Sequence, residues 1–237
     1  MVAVIIPALN EEQSIGIVID SVRDVVDHMI VVDNGSSDRT AEIARLHGAT
    51  VVYEPQRGYG AACLRGIEAL RESPGPRPGA RMNRHSSFVL FLDADASDHP
   101  DDARAIIRVM QTTDVEMCLG SRTTGLADAG SLTPQQRFGN WLSTRLISLI
   151  WGVHYTDLGP LRAVRWDVLE RLEMQDRTWG WTVEMQIKIA MHGISFLEIP
   201  VRYRRRIGQS KISGTVVGSV RAGYKILTTI ARFALRR

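Results

Sequence analysis

Two aspartates stand one residue apart directly after an apolar run, and this spacing indicates a cation site. Asp93 and Asp95 follow the run Phe88–Leu92. Residues two apart on a continuing strand lie on the same side, and adjacent carboxylates repel each other unless a cation lies between them. Hard oxygen ligands beside a phosphate-bearing substrate suit Mg²⁺ or Mn²⁺. The pair therefore predicts a divalent metal site that a diphosphate completes.

Polar residues also follow the first two apolar runs of the chain. Pro7–Glu12 comes after Val2–Ile6, and Asp33–Asp38 comes after Met29–Val32. Open α/β sheets bind ligands at the carboxyl ends of their strands, so these segments are expected to meet the aspartate pair at one crevice. Each polar residue taken alone is explained equally well as a helix cap. The glycine-rich loop Arg57–Ala62 opens a helix, and its amides could meet a ligand there.

The elements that must position these residues follow from the apolar spacing. In the first half of the chain, short β-branched runs alternate with helical spacing, which predicts a mostly parallel α/β sheet with right-handed crossovers. Strands are expected at Val2–Ile6, Met29–Val32, Thr50–Tyr53 and Phe88–Leu92, and helices at Glu11–Val26, Thr40–His47 and Gly60–Arg71. Residues 73–87, rich in Pro, Gly and Arg, are expected to form a surface insertion.

The second half is less regular and predicts fewer strands. We expect helices at Asp101–Gln111, Gln135–Trp151 and Val183–His192, strands at Glu116–Gly120 and Ser195–Tyr203, and a loop at Thr124–Pro134.

Composition and missing motifs exclude several classes of protein. With 237 residues, 44% hydrophobic and 23% charged, the chain is neither disordered, collagen-like nor a disulfide scaffold. Cys63 and Cys118 match no metal spacing and are expected to be buried, reduced thiols of a cytoplasmic protein. We find no signal peptide and no uncharged apolar run long enough to span a membrane. Neither a Gly-x-Gly-x-x-Gly after the first strand nor a Walker-type Gly-Lys-Ser/Thr is present, which argues against dinucleotide oxidoreductases and P-loop NTPases.

Taken together, the motifs resemble family 2 glycosyltransferases of the GT-A fold, a Rossmann-like sheet flanked by helices. The segments that carry the resemblance are Ile6–Glu12, Val31–Thr40, Gly58–Ala62, Asp93–Asp95, Gly120–Arg122, Arg137–Asn140, Asp157–Gly159 and Glu198–Pro200. Arg205–Lys211 resembles the Arg-x-x-Gly-x-Ser-Lys signature of polyprenyl-phosphate sugar synthases such as dolichyl-phosphate mannose synthase.

The resemblance implies a role for each matching residue. A nucleotide sugar would be held by Pro7, Ala8, Asn10, Glu12, Asp33, Gly35, Gly58, Gly60, Asp93 and Ala94, and the metal by Asp93 and Asp95. The acceptor or the departing diphosphate would be bound by Arg122, Arg137, Asn140, Arg205, Ser210 and Lys211. Residues 1–213 would form the catalytic domain, with a nucleotide-sugar half at 1–120 and an acceptor half at 121–213. After Asp95 the sequence departs from the family, which leaves the third metal ligand open between Ser97 and water.

The resemblance also implies an inverting transfer, in which Asp95 is a catalytic residue. A lipid phosphate acceptor is already ionised near neutral pH and needs no general base, whereas a hydroxyl acceptor needs a carboxylate to take its proton. Glu184 and Asp157 are the candidates for that base. The alternative for Glu184 is a salt-bridged helix residue.

The C-terminal part of the chain has a charge pattern of its own. Arg202–Arg237 contains ten basic residues and no acidic one, although the whole chain carries only +3. Residues 214–237 have near-helical apolar spacing with interspersed Arg and Lys, typical of a helix lying on an anionic membrane. The alternative is a helix packed on its own domain or between copies of the chain. No nucleic-acid recognition motif is present.

The leading hypothesis is transfer of a sugar from a UDP- or GDP-linked donor to a polyprenyl phosphate such as dolichyl or undecaprenyl phosphate. The enzyme would lie on the inner face of the cell membrane as a peripheral protein. Two alternatives stay open, namely transfer to a soluble or lipid hydroxyl, and an inactive module that only binds nucleotide sugars.

Overall fold

The computed structural model describes residues 1–72, 87–208 and 216–235. Most of the expected surface insertion, the site residues Ser210 and Lys211, and the basic residues Arg236 and Arg237 lie outside the described residues.

One seven-stranded sheet forms the centre of the described part. Its strands are β1 Val2–Ala8, β2 His28–Asp33, β3 Thr50–Tyr53, β4 Phe88–Phe91, β5 Met117–Ser121, β6 Arg162–Arg165 and β7 Phe196–Pro200. They lie in the order β3-β2-β1-β4-β6-β5-β7. β6 runs antiparallel to both of its neighbours, and the other strand pairs are parallel. The expected mostly parallel sheet is thus confirmed.

Eight helices within the described residues flank the sheet: α1 Ile15–Val22, α2 Thr40–Leu46, α3 Tyr59–Glu72, α4 Pro100–Thr112, α5 Pro134–Trp151, α6 Trp166–Arg171, α7 Trp181–Met191 and α8 Val216–Ala234. Local sequence explains where α5 begins and ends. Thr133 and Gln136 form a capping box at its start, and Gly152 ends it with a left-handed φ of 72°.

The sheet is covered on both faces, which explains its continuous apolar strands. Along β1, Ala3 and Ile5 face one hydrophobic cluster, while Val4 and Ile6 face the other. All four side chains are fully buried. This rigid sheet fixes the strand ends from which the loops of the candidate site emerge.

Three sequence expectations need correction. The helix expected at Glu11–Val26 spans only Ile15–Val22, because Asn10 has a left-handed φ of +51° and residues 12–14 and 23–25 form turns. The strand expected to reach Tyr203 ends at Pro200, and Tyr203 forms only isolated bridges. β6 and the short α6 were not expected at all.

Helix α8 packs on its own domain along one face. It contacts α5 and α7, and its Thr229 and Ile230 are buried. Tyr224 on the same helix is 72% exposed, and Leu235, directly after the end of the helix, is 88% exposed. No helix in the described part of the chain is both long and apolar enough to cross a membrane. The helix therefore has a packed face and an open face.

Candidate active site

The largest concentration of the expected site residues lies in a cavity of about 580 Å³ at the carboxyl ends of β1, β2 and β4. Ala8 from β1, Asn34 after β2, and Asp93 and Asp95 after β4 all line it. Gly58, just before α3, forms the opposite wall. The sheet brings these separate motifs together as the sequence analysis expected.

The two aspartates differ in their surroundings. Asp95 is buried, and its Oδ1 accepts a hydrogen bond of 3.0 Å from the backbone N–H of Ser97. Burial, and then the charge of Asp95, raise the pKa of Asp93 to about 7. A bound cation would favour the ionised form of both groups. Among the described residues, no group of three or more Asp, Glu, His or Cys side chains is arranged to hold a metal ion.

A basic side chain spans the acidic wall of the cavity. Arg206 places Nη2 2.7 Å from Oε1 of Glu11 and Nη1 3.2 Å from Oδ2 of Asp95. Both carboxylates are less than 10% exposed, and the Arg206 side chain is 28% exposed. The guanidinium thus balances part of the negative charge of these two carboxylates.

The glycine-rich loop is held by an amide side chain. Asn34 donates from Nδ2 to the carbonyls of Glu54 and Gln56, and its Oδ1 accepts from Gly58 N–H at 2.8 Å. A Cβ atom on Gly60 would lie 2.0 Å from the carbonyl oxygen of Asp176. Only glycine allows this close approach, so the loop is fixed against the segment after residue 175.

Several residues expected to hold the nucleotide sugar lie beside the cavity wall, in the contacts between the β1 and β2 loops. Asn10 Oδ1 accepts from Ser37 N–H, and Glu12 accepts from Arg39 N–H. Asp33 is buried, and its Oδ1 accepts from the backbone N–H of the turn residue Ser36, as a residue that caps a turn does. Pro7, Gly58 and Ala94 do line the cavity, and Gly35 turns with a φ of +85°.

Two residues given separate roles in the sequence analysis are paired with each other. Arg122 and Asp157 form a bidentate ion pair with two distances of 2.8 Å, and the backbone N–H of Arg122 donates to the same carboxylate. The Asp157 side chain is 1% exposed. The Arg122 guanidinium also lies over the Tyr203 ring, 5.0 Å from its centroid. Although burial opposes its charge, the bond to Asp157 raises the pKa of Arg122 above its ordinary value.

Three of the residues expected to bind phosphate lie around a second cavity of about 620 Å³ beside α5. Arg122, Arg137 and Asn140 line it. Asn140 also ties α5 to the chain near Asp157, because its Oδ1 accepts from Leu158 N–H. Arg205 is exposed and donates to the carbonyl of Ala129, outside both cavities.

Glu184 is fully buried at the start of α7. Its two oxygens accept hydrogen bonds from the backbone N–H groups of Gln175 and Asp176, at 3.0 and 2.6 Å. Lys188 lies 2.9 Å from the same carboxylate. The geometry thus gives Glu184 contacts with the segment before α7.

Glu11, Asn34, Arg206 and Lys225 line the first cavity but were not predicted as site residues. Asn34 and Glu11 stood within quoted motifs, next to residues that were chosen. The signature directed attention to Arg205, whereas the neighbouring Arg206 is the side chain in the cavity. Lys225 carried no signal beyond the basic pattern of the tail.

Comparisons with known proteins agree with this architecture. The sequence model of the family described as glycosyl transferase family 2 matches residues 3–172 of this chain. A dolichyl-phosphate hexose transferase of Haloferax volcanii is 34% identical over 215 residues, which cover 89% of this chain and 86% of that protein. An undecaprenyl-phosphate mannosyltransferase of Micrococcus luteus is 26% identical over 92% of this chain and 89% of its own.

A solved structure shares the fold. Glucosyl-3-phosphoglycerate synthase from Mycobacterium tuberculosis, in complex with Mn²⁺, UDP and phosphoglyceric acid, matches with a TM-score of 0.75. The alignment covers 99% of this chain and 78% of that one at 20% identity. The same enzyme has also been solved with Mg²⁺ and UDP. The expected GT-A fold is thereby confirmed, and the extent of the family match shows that this chain belongs to glycosyl transferase family 2.

Proposed function

We propose that the protein transfers a hexose from a nucleotide sugar to a polyprenyl phosphate, with Mg²⁺ or Mn²⁺ at Asp93 and Asp95. The observation that carries this proposal is the cavity in which the aspartate pair faces Arg206 and the glycine-rich loop. The two relatives named for dolichyl- and undecaprenyl-phosphate transfer support the same acceptor class.

The donor side of the cavity fits a metal ion and a diphosphate. Asp93 and Asp95 supply two carboxylates, and Mg²⁺ in such sites takes its remaining ligands from phosphates and water. The cation that now pairs with Asp95 is a guanidinium, which shows that this carboxylate accepts a positive partner. A bound divalent ion would neutralise the charge that develops on the departing diphosphate. The UDP complexes of the solved relative support a uridine nucleotide as the first donor to test.

Within this proposal, Arg206 would bind the departing diphosphate after leaving the carboxylates. An arginine suits this task because its planar guanidinium can hold two phosphate oxygens at once. Asn34 would keep the glycine-rich loop in place while its backbone faces the donor. These residues bind and orient the donor, and they need no proton transfer.

The kind of acceptor decides whether the enzyme needs a general base. A hydroxyl acceptor needs a carboxylate within hydrogen-bond reach. Asp157 is held by the guanidinium and backbone of Arg122, and Glu184 by two backbone N–H groups and Lys188. We therefore propose that both are positioning residues, and that the acceptor reaches the site already ionised. This preference ranks a lipid phosphate above an alcohol.

Transfer to matched lipids would test the function. The protein with Mn²⁺ and UDP-linked or GDP-linked hexoses should glycosylate a short polyprenyl phosphate and leave the polyprenol of the same length unmodified. Mass spectrometry of the lipid product measures both. Equal transfer to the alcohol would favour the hydroxyl-acceptor alternative, and donor binding without any transfer would favour a module that only binds nucleotide sugars.

We further propose that α8 holds the protein on an anionic membrane surface. The exposed Tyr224 and Leu227 lie on the same helix as Arg221, the exposed Leu235 directly follows its end, and the helix has no acidic residue. Apolar side chains flanked by basic ones bind anionic headgroups.

Sedimentation with vesicles tests the membrane proposal. The full chain should bind vesicles that contain anionic lipid, and each basic residue near the surface should add about 1 kcal/mol. Replacing Arg221 with glutamate should weaken that binding, whereas zwitterionic vesicles should bind little of either protein. Vesicle binding that is unchanged by this charge reversal would contradict the role of α8.

A further inference from the structure

We propose that Lys225 of α8 is a substrate-binding residue that contacts the phosphate of the acceptor. This inference rests on the proposed function and names a residue that the family motifs do not include. Its basis is that α8 reaches the cavity, so the helix has a second role besides any contact with a membrane.

Lys225 lines the same cavity as Asp93 and Asp95, although it is far from them in sequence. Its Nζ lies 2.8 Å from Oδ2 of Asp176, and its side chain is 36% exposed. An ammonium group has three donors, and one ion pair does not use them all. Beside Lys225, Thr178 and Trp179 line the cavity.

The carboxylate that holds Lys225 is itself firmly placed. Oδ1 of Asp176 accepts hydrogen bonds from the backbone N–H groups of Thr178 and Gly180 and from the Thr178 hydroxyl. Burial alone would raise the pKa of Asp176, but the contacts with Lys225 and Thr178 outweigh it and lower the pKa. The Asp176 side chain is 1% exposed. Lys225 is therefore held at the cavity by an anchored negative charge.

Position in the cavity points to the acceptor. The donor groups assigned above include Asp95 and its ion-pair partner Arg206, whereas Lys225 is paired with Asp176 in the segment before α7. Next to Lys225 in sequence, Tyr224 is 72% exposed on the outer face of α8. A phosphate ester that enters the cavity beside α8 would place its anion on Lys225 and its apolar part along the helix.

Equilibrium binding separates this role from others. The probes are a short polyprenyl phosphate in detergent, the polyprenol of the same length, 3-phosphoglycerate, and UDP with Mn²⁺. Lys225→Gln should raise the dissociation constant for the phosphate ester by about tenfold or more, because a charged hydrogen bond is lost. The UDP constant should stay within about twofold, since no donor contact is removed.

Three further variants distinguish a phosphate contact from a structural effect. Arg108→Gln makes the same charge change at an exposed position of α4, away from the residues that line the cavity, and should leave binding in detergent unchanged. Lys225→Arg should retain most of the affinity. Lys225→Gln combined with Asp176→Asn removes the unpaired buried carboxylate, and it should still show the loss.

The outcomes are separable. If the wild-type protein binds the polyprenyl phosphate and Lys225→Gln binds it equally well, only the inference about Lys225 is wrong. Recovery of affinity in the double variant, or an equal loss of UDP affinity, would also overturn it. If the wild type binds UDP with Mn²⁺ but neither phosphate ester, the proposed acceptor class fails and the inference fails with it. Loss confined to 3-phosphoglycerate would assign Lys225 to a soluble phosphate ester.

Discussion

Asp95→Asn should reduce sugar transfer by about a thousandfold, and it should weaken the binding of Mn²⁺ alone by about a hundredfold. The change removes the negative charge while it keeps the shape and most hydrogen-bonding capacity of the side chain. Asp95 faces the cavity, and its carboxylate pairs with Arg206 at 3.2 Å. Mn²⁺ binding can be measured without substrate by the electron paramagnetic resonance signal of the free ion.

Arg206→Gln should shift Mn²⁺ binding in the opposite direction. Arg206 pairs with Glu11 and Asp95, so its replacement takes one positive charge away from beside these two buried carboxylates. The affinity for Mn²⁺ alone should rise by about tenfold, because the positive guanidinium that competes with the ion for Asp95 is removed. Turnover should nevertheless fall, because the proposed contact with the departing diphosphate is lost.

The two variants are expected to change Mn²⁺ affinity in opposite directions, which a general effect on structure would not do. A general loss of structure would weaken metal binding in both variants, whereas competition between Arg206 and the ion predicts a loss in one and a gain in the other. Asp24→Asn on the remote face serves as the control, since Asp24 pairs with Arg104 at the surface. Metal affinity of Asp95→Asn equal to that of wild type would show that Asp95 is not a ligand.

The strands could be predicted from the sequence where they are apolar, whereas the prediction missed β6, which carries two arginines. β1, β2 and β4 could be predicted from their apolar runs because both faces of the sheet are covered at these strands. β6 has the sequence Arg-Ala-Val-Arg, which suggests a surface segment. Arg162 is nevertheless fully buried, because its guanidinium donates to the carbonyls of Leu158, Gly159 and Thr182. Two of these carbonyls lie three and four residues before Arg162, and the third lies in α7, a contact that local sequence does not reveal.

The residues of the candidate site could likewise be predicted only in part. Residues at strand ends, such as Asp93 and Asp95, could be found because topology alone brings strand ends together. Which of two adjacent arginines enters the cavity depends on the path of the chain after β7, which no periodicity describes. Lys225 depends on how α8 packs against the domain. Whether a carboxylate is available as a base, as for Asp157, depends on a partner that lies 35 residues away.

Asp157→Asn should lower the free energy of unfolding by about 3 kcal/mol, because it leaves the Arg122 guanidinium largely buried without its counter-charge. Urea denaturation followed by circular dichroism measures this change. Asp24→Asn is the matched control for geometry: Asp24 also makes a bidentate pair, with two distances of 2.7 Å to Arg104, but at an exposed site. That substitution should change stability little, since solvent screens an exposed pair.

The same variant distinguishes two roles for Asp157 in catalysis. A general base lost to asparagine would remove the acidic limb of the pH profile of kcat, and the acceptor KM would stay unchanged. If Asp157 is a positioning residue, its replacement would instead disturb Arg122, which lines the second cavity and stacks on Tyr203. We expect the latter, with a raised acceptor KM, an unchanged shape of the pH profile and reduced stability. Full stability together with a flattened pH profile would return Asp157 to the role of base and would favour a hydroxyl acceptor.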